Sequence, residues 1–216
     1  MAKKVKRKVK FGRIIILLLL LTVVVVGGFF AYQKLNVKET PIKKIKSIST
    51  IDNYEYSLKE NATSYFKELF KSLEKTLNEK EIDEEEYMTL ISKMFVADFF
   101  NLDNKVNKND VGGKQFVYKN YRSDFEKYAM DTMYKTVESN VYGNRNQDLP
   151  IVTDVEVQKI KNEPYKYGDS TDNNAYVVNF KITYKEDLGY QDSGSLIIIH
   201  NDKKLEVASM SEKSSS

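Results

Sequence analysis

The sequence contains no cysteine, no tryptophan and a single histidine among its 216 residues. Without cysteine the chain cannot form a disulfide framework, present a thiol nucleophile, or bind zinc or an iron–sulfur cluster through thiolates. A body of about 165 residues does not need such cross-links, because a domain of that length buries a sufficient hydrophobic core unaided. The absence of cysteine therefore restricts the chemistry of the chain but not its ability to fold.

Recognisable catalytic residues are equally scarce. The one histidine, His200, follows three isoleucines, and no serine or aspartate spacing makes it part of a nucleophilic triad, so we interpret it as structural or merely exposed. Ser64 and Ser72 each precede a lysine by three positions, as in the Ser-x-x-Lys motif of penicillin-binding enzymes, but the Ser-Asp-Asn and Lys-Thr-Gly motifs are missing. We predict no catalytic residue and a protein that is not an enzyme.

Two segments contain residue types that bind phosphate or metal ions in other proteins. Residues 111–115 include two glycines and a lysine but lack the upstream glycine and the hydroxyl residue of a phosphate loop, which favours an ordinary turn with positive φ. Residues 103–110 are rich in carboxylate and amide oxygens, but Lys105, Lys108 and Lys114 occupy positions where an EF-hand needs a ligand or glycine. An irregular calcium site is the alternative to a solvated turn. We predict no metal and no cofactor.

The most distinctive part of the sequence is its beginning. Residues 1–13 form a basic tail with seven lysines or arginines and no acid, and residues 14–32 contain no charged residue. At 1.5 Å per residue, a helix of about 19 residues approaches the roughly 30 Å hydrocarbon thickness of a bilayer. We predict a transmembrane helix at residues 14–32. A cleaved signal peptide is the alternative, but the bulky Phe29 and Tyr32 suit a membrane interface better than a cleavage site.

The charge distribution predicts the orientation of this helix. The first 33 residues carry a net charge of +7, whereas the remainder of the chain sums to −4. Positive residues before the span favour a cytoplasmic N-terminus and a C-terminal domain outside the cytoplasm, although lysines also follow the span. The tail would then contact anionic lipid headgroups, at about 1 kcal/mol for each basic residue. No nucleic-acid partner is predicted, because that would require a basic face on the folded domain.

Beyond the span, the sequence divides into a stalk, a folded domain and a short tail. Residues 33–51 are polar and lysine-rich and are interrupted by Pro41, which is typical of an extended stalk. The folded domain is predicted at residues 52–210, followed by a disordered tail at residues 211–216. A broad apolar stripe with steps of three and four predicts that the domain opens with a helix. The stripe contains Tyr54, Leu58, Ala62, Tyr65, Leu69 and Leu73.

Two further helices are predicted before Pro150. Asp83 can cap the second, and the acidic run at residues 83–86 favours a helix N-terminus without any need for a metal or partner patch. The buried face of this helix contains Tyr87, Leu90, Ile91, Met94, Phe95 and Phe99. Ser123 and Glu126 form a capping-box pattern that predicts the start of the third helix, which should end before residues 140–143.

After Pro150 the apolar period changes from 3.6 to 2, which predicts half-buried strands. The inward positions of the first two strands are Ile151, Thr153, Val155 and Val157, followed by Tyr176, Val178, Phe180, Ile182 and Tyr184. Residues 196–199 predict a central third strand, and a fourth starts at Leu205 after a turn at Asn201 and Asp202. The predicted fold class is α+β, with about three helices packed on one face of a curved, antiparallel, four-stranded sheet.

This element order, behind a single N-terminal anchor, resembles the cystatin-like folds of the nuclear-transport-factor-2 type. It is most similar to the ectodomains of VirB8-type conjugation and secretion proteins. The resemblance covers residues 52–210 as element order only, so no site residue is carried over. The Lys-, Asn-, Ile- and Tyr-rich composition resembles that encoded by AT-rich bacterial genomes, and an exported domain without cysteine resembles those of Gram-positive bacteria. The resemblance implies a non-catalytic scaffold that holds other envelope proteins, or copies of itself, in an assembly.

The 15 tyrosines provide the candidate binding residues. Most recur on apolar faces, where a buried ring with its hydroxyl at the rim is the ordinary arrangement. Tyr165, Tyr167 and Tyr190 fall in predicted loops, where aromatic side chains can anchor a protein partner. An exposed aromatic patch beside a filled core would support this scaffold hypothesis.

A second hypothesis uses the concave pocket that a cystatin-like fold implies. Tyr128, Tyr176 and Tyr184 would line it, and it would bind or process a cell-wall or lipid-derived ligand. A deep polar pocket with converging carboxylates and tyrosines would support this alternative. We favour the scaffold, because the sequence offers no catalytic set.

Overall fold

A computed structural model of the chain describes residues 45–212. The predicted basic tail, the predicted transmembrane helix and most of the predicted stalk lie outside the described residues. Within residues 45–212, no helix is both long and apolar enough to cross a bilayer.

The described part of the chain begins with a β-hairpin, continues with three α-helices and ends with a four-stranded meander. The helices are α1 Ser64–Leu77, α2 Glu84–Phe100 and α3 Arg122–Asp131; the strands are β1 Ser47–Ile51, β2 Tyr56–Lys59, β3 Val152–Tyr167, β4 Ser170–Tyr184, β5 Ser193–Asn201 and β6 Lys204–Glu212. Short 3-10 turns lie at Asp52–Tyr54, Lys114–Phe116 and Lys119–Tyr121.

The four long strands form one antiparallel sheet in the order β3-β4-β5-β6, and β1 forms a separate two-stranded sheet with β2. The three helices pack on the four-stranded sheet, so the α+β class is confirmed. The predicted inner position of the third strand is also confirmed, because β5 lies between β4 and β6.

The core lies between α2 and the inner face of the sheet. Asp83 caps α2 as predicted, since its Oδ1 accepts hydrogen bonds of 3.0 Å from the backbone N–H groups of Glu85 and Glu86. All six residues predicted for the buried face of α2 are buried, and so are Met88, Val96 and Phe100 on its other sides. A helix that is apolar nearly all round must be covered on several sides, which α1 and the sheet together provide.

The predicted first helix starts ten residues later than expected. Tyr54 lies in a 3-10 turn and Leu58 in β2, and the helix begins after Thr63, whose hydroxyl accepts a hydrogen bond from the Phe66 N–H. The spacing of three and four residues predicted a helix at Leu58, but Leu58 also fits the period-2 pattern of a strand with Tyr56, and the strand is what forms. The folded body therefore starts with β1, inside the predicted stalk.

The predicted third helix differs from the structure at its start. It begins at Arg122 without a side-chain cap, so the capping box at Ser123 and Glu126 is wrong; the preceding 3-10 turn runs directly into the helix. The helix ends at Asp131, and the chain then turns to bury Tyr134, whose hydroxyl donates a 2.6 Å hydrogen bond to the Phe99 carbonyl.

The strands differ from the prediction in phase and in length. A β-bulge between Val152 and Asp154 places Val152 and Val155 inward and leaves Thr153 exposed. The inward positions predicted for β4 from Tyr176 to Ile182 are confirmed. At the other end, Ser211 and Glu212 belong to β6 rather than to a disordered tail, because they pair with β5.

Candidate functional site

The three tyrosines predicted as loop anchors do not lie together in loops. Tyr190 is in the loop between β4 and β5, as predicted, and is half-buried against the main core. Tyr165 and Tyr167 instead belong to β3, because β3 and β4 continue to a two-residue turn at Gly168 and Asp169. Gly168 has a φ of 55°, the left-handed conformation that such a turn requires. The loop prediction is therefore wrong for Tyr165 and Tyr167.

Both residues contribute to a second apolar cluster on the outer face of the sheet. Successive strand residues point to opposite faces, so Ile197 and Ile199 point away from the main core, which contains Leu196 and Ile198. We call this group the outer-face cluster; its buried members are Tyr167, Ala175 and Ile199, and its half-buried members are Tyr118, Tyr121, Tyr165, Ile197 and Ala208. None of these residues comes from an α-helix.

The tyrosine rings of the outer-face cluster pack edge to face. The Tyr118 ring lies 5.1 Å from the Tyr121 ring and 5.0 Å from the Tyr167 ring, both at nearly right angles. The Gly168 N–H donates a 3.1 Å hydrogen bond to the Tyr121 hydroxyl, and the Tyr167 hydroxyl donates one of 3.3 Å to the His200 carbonyl. These contacts tie the tip of the β3–β4 hairpin to the 118–121 turn. Tyr167, which is 8% exposed, is therefore a packing residue.

The 118–121 turn reaches this face because it runs beside the outer strand of the sheet. Val117 forms a parallel bridge with Val207 of β6, and the Tyr118 N–H donates a 2.9 Å hydrogen bond to the Val207 carbonyl. Arg122 strengthens the junction through a 2.8 Å bond from its Nε to the Val117 carbonyl and a 3.3 Å contact with buried Glu206. The half-buried tyrosines are consequently held on a rigid support.

The three tyrosines predicted to line a pocket do not converge. Tyr128 is 70% exposed on α3. Tyr176 and Tyr184 share the inner face of β4 but are eight residues apart, roughly 26 Å along the strand. The Tyr184 hydroxyl donates to the Gln191 carbonyl at 2.6 Å, and the Tyr176 hydroxyl donates to Glu84 at 2.5 Å. The structure therefore does not bring these residues into one cleft, and this part of the prediction is wrong.

His200 lies in a charged cluster at the hairpin end of the sheet. Its Nε2 is 2.7 Å from Glu84 Oε1, and its Nδ1 is 2.8 Å from Asp172 Oδ2. The same Asp172 oxygen accepts a 2.8 Å hydrogen bond from the His200 backbone N–H, and Glu84 Oε1 also accepts from the Tyr176 hydroxyl. The Tyr176 and imidazole ring centres are 5.3 Å apart. We call Glu84, Asp172, Tyr176 and His200 the histidine cluster.

The charges in the histidine cluster stabilise one another. Hydrogen bonds from Tyr176 and from the His200 ring lower the pKa of Glu84. Burial opposes ionisation of Asp172, but the hydrogen bonds that it accepts from the backbone of His200 and Asn174 outweigh this effect and lower its pKa. Burial likewise opposes the charge on His200, but its hydrogen bonds to Glu84 and Asp172 raise its pKa above the ordinary value. Among the described residues, no serine or threonine hydroxyl belongs to this set of contacts.

The Ser-x-x-Lys and glycine motifs lie on an exposed helix face and in a packed turn. Ser64 and Ser72 are exposed on α1, and within residues 45–212 neither hydroxyl is hydrogen-bonded to a lysine. Gly113 has a φ of 75°, which confirms the predicted turn. A Cβ on Gly112 would lie 2.0 Å from the Asp98 carbonyl oxygen, so this glycine is needed for close packing against α2.

Several oxygens of the 103–110 loop accept hydrogen bonds within the protein. Asp110 accepts hydrogen bonds from Lys59 and from the Val106 N–H, and Asn107 accepts one from the Asn109 N–H. The Asp103 carbonyl accepts a hydrogen bond of 2.5 Å from an Arg145 guanidinium nitrogen. This pattern is the one expected of a self-bonded turn, and among the described residues no group of three acidic or histidine side chains is arranged to hold a metal ion.

A polar groove of about 310 Å³ lies beside β2. Its charged lining residues are Lys59, Asp98, Asp110, Lys114, Arg122 and Glu126. Lys59 pairs with Asp110 at 3.2 Å and Lys114 with Glu126 at 2.8 Å, so the cations of the groove have acidic partners within the protein. The groove carries no net excess of one charge and no tyrosine.

Sequence reasoning missed Tyr118 and Tyr121 of the outer-face cluster, and Glu84 and Asp172 of the histidine cluster. The two tyrosines were hard to identify, because no sequence pattern near residues 118–121 indicates that this turn runs beside β6. The signal for the acids was absent, since Glu84 and His200 are 116 positions apart in the chain. Both clusters depend on the tertiary fold.

Comparison of the chain with protein-family models, with curated proteins and with solved structures finds no match.

Proposed function

We propose that the chain is a membrane-anchored, non-catalytic scaffold whose extracytoplasmic domain binds another envelope protein, or a second copy of itself, through the outer-face cluster. The observation that carries this proposal is a half-buried patch of tyrosine and aliphatic side chains on the sheet face that α1, α2 and α3, the helices of residues 45–212, do not cover. Tyrosines held by a rigid support are favourable anchors, because little conformational entropy is lost when a partner covers them.

Two features of the domain support binding rather than chemistry. Both ring nitrogens of His200 contact carboxylates, and among the described residues no serine or threonine hydroxyl is hydrogen-bonded to the imidazole. The space between α2 and the sheet is filled by large side chains, including Phe95, Phe100 and Leu196, none of which is accessible to solvent.

We also propose a narrower fold and a family analogy for this domain. Three helices followed by a four-stranded antiparallel meander support a cystatin-like domain of the nuclear-transport-factor-2 type, with VirB8-type conjugation and secretion proteins as the nearest analogy. The β1–β2 hairpin is an addition at the N-terminal end of that element order. Assembly with other envelope proteins of a Gram-positive cell follows from the same analogy.

The membrane anchor and its orientation are supported by the sequence of residues 1–32. We expect the basic tail inside the cell on anionic lipid headgroups, residues 14–32 in the bilayer and the domain outside. Protease added to intact protoplasts should digest the domain. Survival of the domain until lysis would contradict the orientation, and a mature chain lacking residues 1–32 would contradict the anchor.

Substitution of half-buried cluster residues tests the binding surface. Tyr165→Ser and Ile197→Ser, each in the full-length protein in its native membrane, should weaken co-purification of the partner. A true anchor contributes about 1–2 kcal/mol or more, so the affinity should fall at least fivefold to thirtyfold for each substitution. The matched controls are Tyr128→Ser and Ile82→Ser, which remove the same side chains from exposed positions on α3 and before α2.

Binding by the cluster variants and by the control variants distinguishes the proposal from its alternatives. Weaker binding in the two cluster variants, with unchanged binding in the two controls and retained thermal melting, supports the proposal. Unchanged binding in the cluster variants contradicts it. Loss of function on replacing Ser64 and Ser72, in a normally folded protein, would instead favour an enzyme.

The alternative function is binding of a cell-wall or lipid-derived ligand, and the groove of about 310 Å³ beside β2 is the observation that favours it. Soluble muropeptides should then raise the melting temperature of the full-length protein. Lys114→Ala, which removes a half-exposed groove cation, should abolish the rise, and Lys127→Ala on the exposed side of α3 should not. No rise with the wild type would exclude muropeptides as the ligand.

A further inference from the structure

The histidine cluster joins three parts of the fold that are distant in sequence. Glu84 is the first residue of α2, Asp172 lies at the start of β4 just after the hairpin turn, and His200 is close to the end of β5. The contacts therefore fasten the tip of the β3–β4 hairpin and the end of β5 to the first turn of α2. The Tyr167 hydroxyl bonds the His200 carbonyl at the same place.

The hydrogen-bond geometry requires a proton on each ring nitrogen. An ionised carboxylate only accepts hydrogen bonds, and carboxylate oxygens lie 2.7 Å and 2.8 Å from the two ring nitrogens. Neutral imidazole has one N–H, so one nitrogen lone pair would face a carboxylate oxygen at hydrogen-bond distance. Both contacts are favourable only when His200 is an imidazolium.

The other charged and titratable groups nearby do not replace the imidazolium as the donor to both carboxylates. Tyr176 from β4 donates to Glu84 and presents its ring to the imidazole. Glu85 pairs with Lys159 of β3 at 3.2 Å, and the Lys159 ammonium lies 5.8 Å from the centre of the Tyr176 ring. The Asp172 side chain is 8% exposed, so loss of the imidazolium would leave its carboxylate with two backbone N–H donors and poor access to water.

We propose that the histidine cluster is a pH-responsive latch, which holds the β3–β4 hairpin and β5 against α2 while His200 is protonated and loosens when the ring loses its proton. The proton can exchange with solvent, because the His200 side chain is 33% exposed. The latch does not depend on the proposed function, since it concerns the hairpin and not its partner.

The sign of the response follows from the charges. The pKa of His200 is raised, so the contacts are complete below its ordinary value near pH 6.5 and are lost as the pH rises through the higher pKa of the folded state. The pKa values of Glu84 and Asp172 are lowered, so at the acid end the contacts are lost only as the pH falls through those depressed values. The latch is therefore closed in mildly acidic solution and opens toward alkaline pH.

The single histidine makes the test direct. Full-length protein with a ¹³C-labelled histidine ring, in detergent micelles, gives one ring signal from the described domain, and its titration midpoint should lie above pH 6.5. Glu84→Gln should lower the midpoint. Glu85→Gln removes the same charge one residue away, where the carboxylate pairs with Lys159, and should leave the midpoint nearly unchanged.

Amide hydrogen exchange supplies the structural readout. Protection factors of the His200 and Asn174 amides, which both donate to Asp172, should fall above the midpoint, while those of the central β4 residues Val178 and Phe180 should not. A wild-type midpoint at or below pH 6.5, or protection at His200 that does not change across the titration, would overturn the proposal. Neither of these wild-type measurements depends on a variant folding.

Discussion

The inner and outer faces of the four-stranded sheet are held by different kinds of contact. On the inner face, side chains such as Phe180 of β4 meet large apolar residues of α2, among them Phe100, and are removed from water. On the outer face, a few tyrosine rings and aliphatic side chains pack on one another and most keep one side exposed. The inner face therefore contributes most to stability, and the outer face keeps the apolar surface that our proposal assigns to a partner.

The largest expected effect is in the core that covers the inner face. Phe100→Ala removes a side chain with no exposed surface that packs against Phe99 and Phe180. The lost burial and the cavity should lower the free energy of unfolding by about 3–5 kcal/mol. Urea denaturation of the full-length protein in micelles measures this value, with Tyr128→Ala, at a 70% exposed position, as the control. A loss below about 1 kcal/mol would mean that the core is not packed as described.

A smaller loss of stability is expected from the buried tyrosine of the outer-face cluster. Tyr167→Ala removes edge-to-face packing with Tyr118 and the hydrogen bond to the His200 carbonyl. Because the cluster is small and partly open, we expect about 2 kcal/mol of destabilisation, less than for Phe100. Tyr165→Ser should cost less than about 1 kcal/mol. Equal losses at positions 165 and 167 would remove the distinction between packing and binding tyrosines.

The smallest expected effect is the change with pH in the free energy of unfolding that the histidine cluster contributes. Since the pKa of His200 is raised, the free energy of unfolding should decrease between pH 6 and pH 8.5. Glu84 is more than half exposed, so water screens the pair and the decrease should be no more than about 1 kcal/mol. His200→Gln should remove this decrease. A wild-type stability that rises over this interval would contradict the described charges.

The sequence predicted elements whose pattern is local and unambiguous. The Asp83 cap and the continuous apolar run of α2 allow only one interpretation, and the alternation in β4 specifies its inner face. The β1–β2 hairpin was missed because Leu58 fits a helical and a strand period equally well. The bulge after Val152 was missed because a bulge changes the phase of a strand without changing its composition.

The candidate sites were less predictable than the fold, because they depend on contacts between distant segments. The sequence predicts Tyr165 and Tyr167 as binding residues, but only the tertiary structure shows that Tyr167 is buried beneath the 118–121 turn. His200 appeared isolated in the sequence, and its two carboxylates come from α2 and β4. A single sequence contains no local signal for such long-range pairs.

The most direct test of the outer face as a binding surface is site-specific photocrosslinking in the native membrane. Val177 is half-buried, lies beside Ile197 on the outer face and can carry a benzoylphenylalanine side chain without removal of a cluster tyrosine. The same crosslinker at Tyr128 on α3 serves as the control. The proposal predicts a discrete protein adduct from position 177 and none from position 128. An adduct from position 128 alone would contradict the proposal and place the interface on the helical side of the domain.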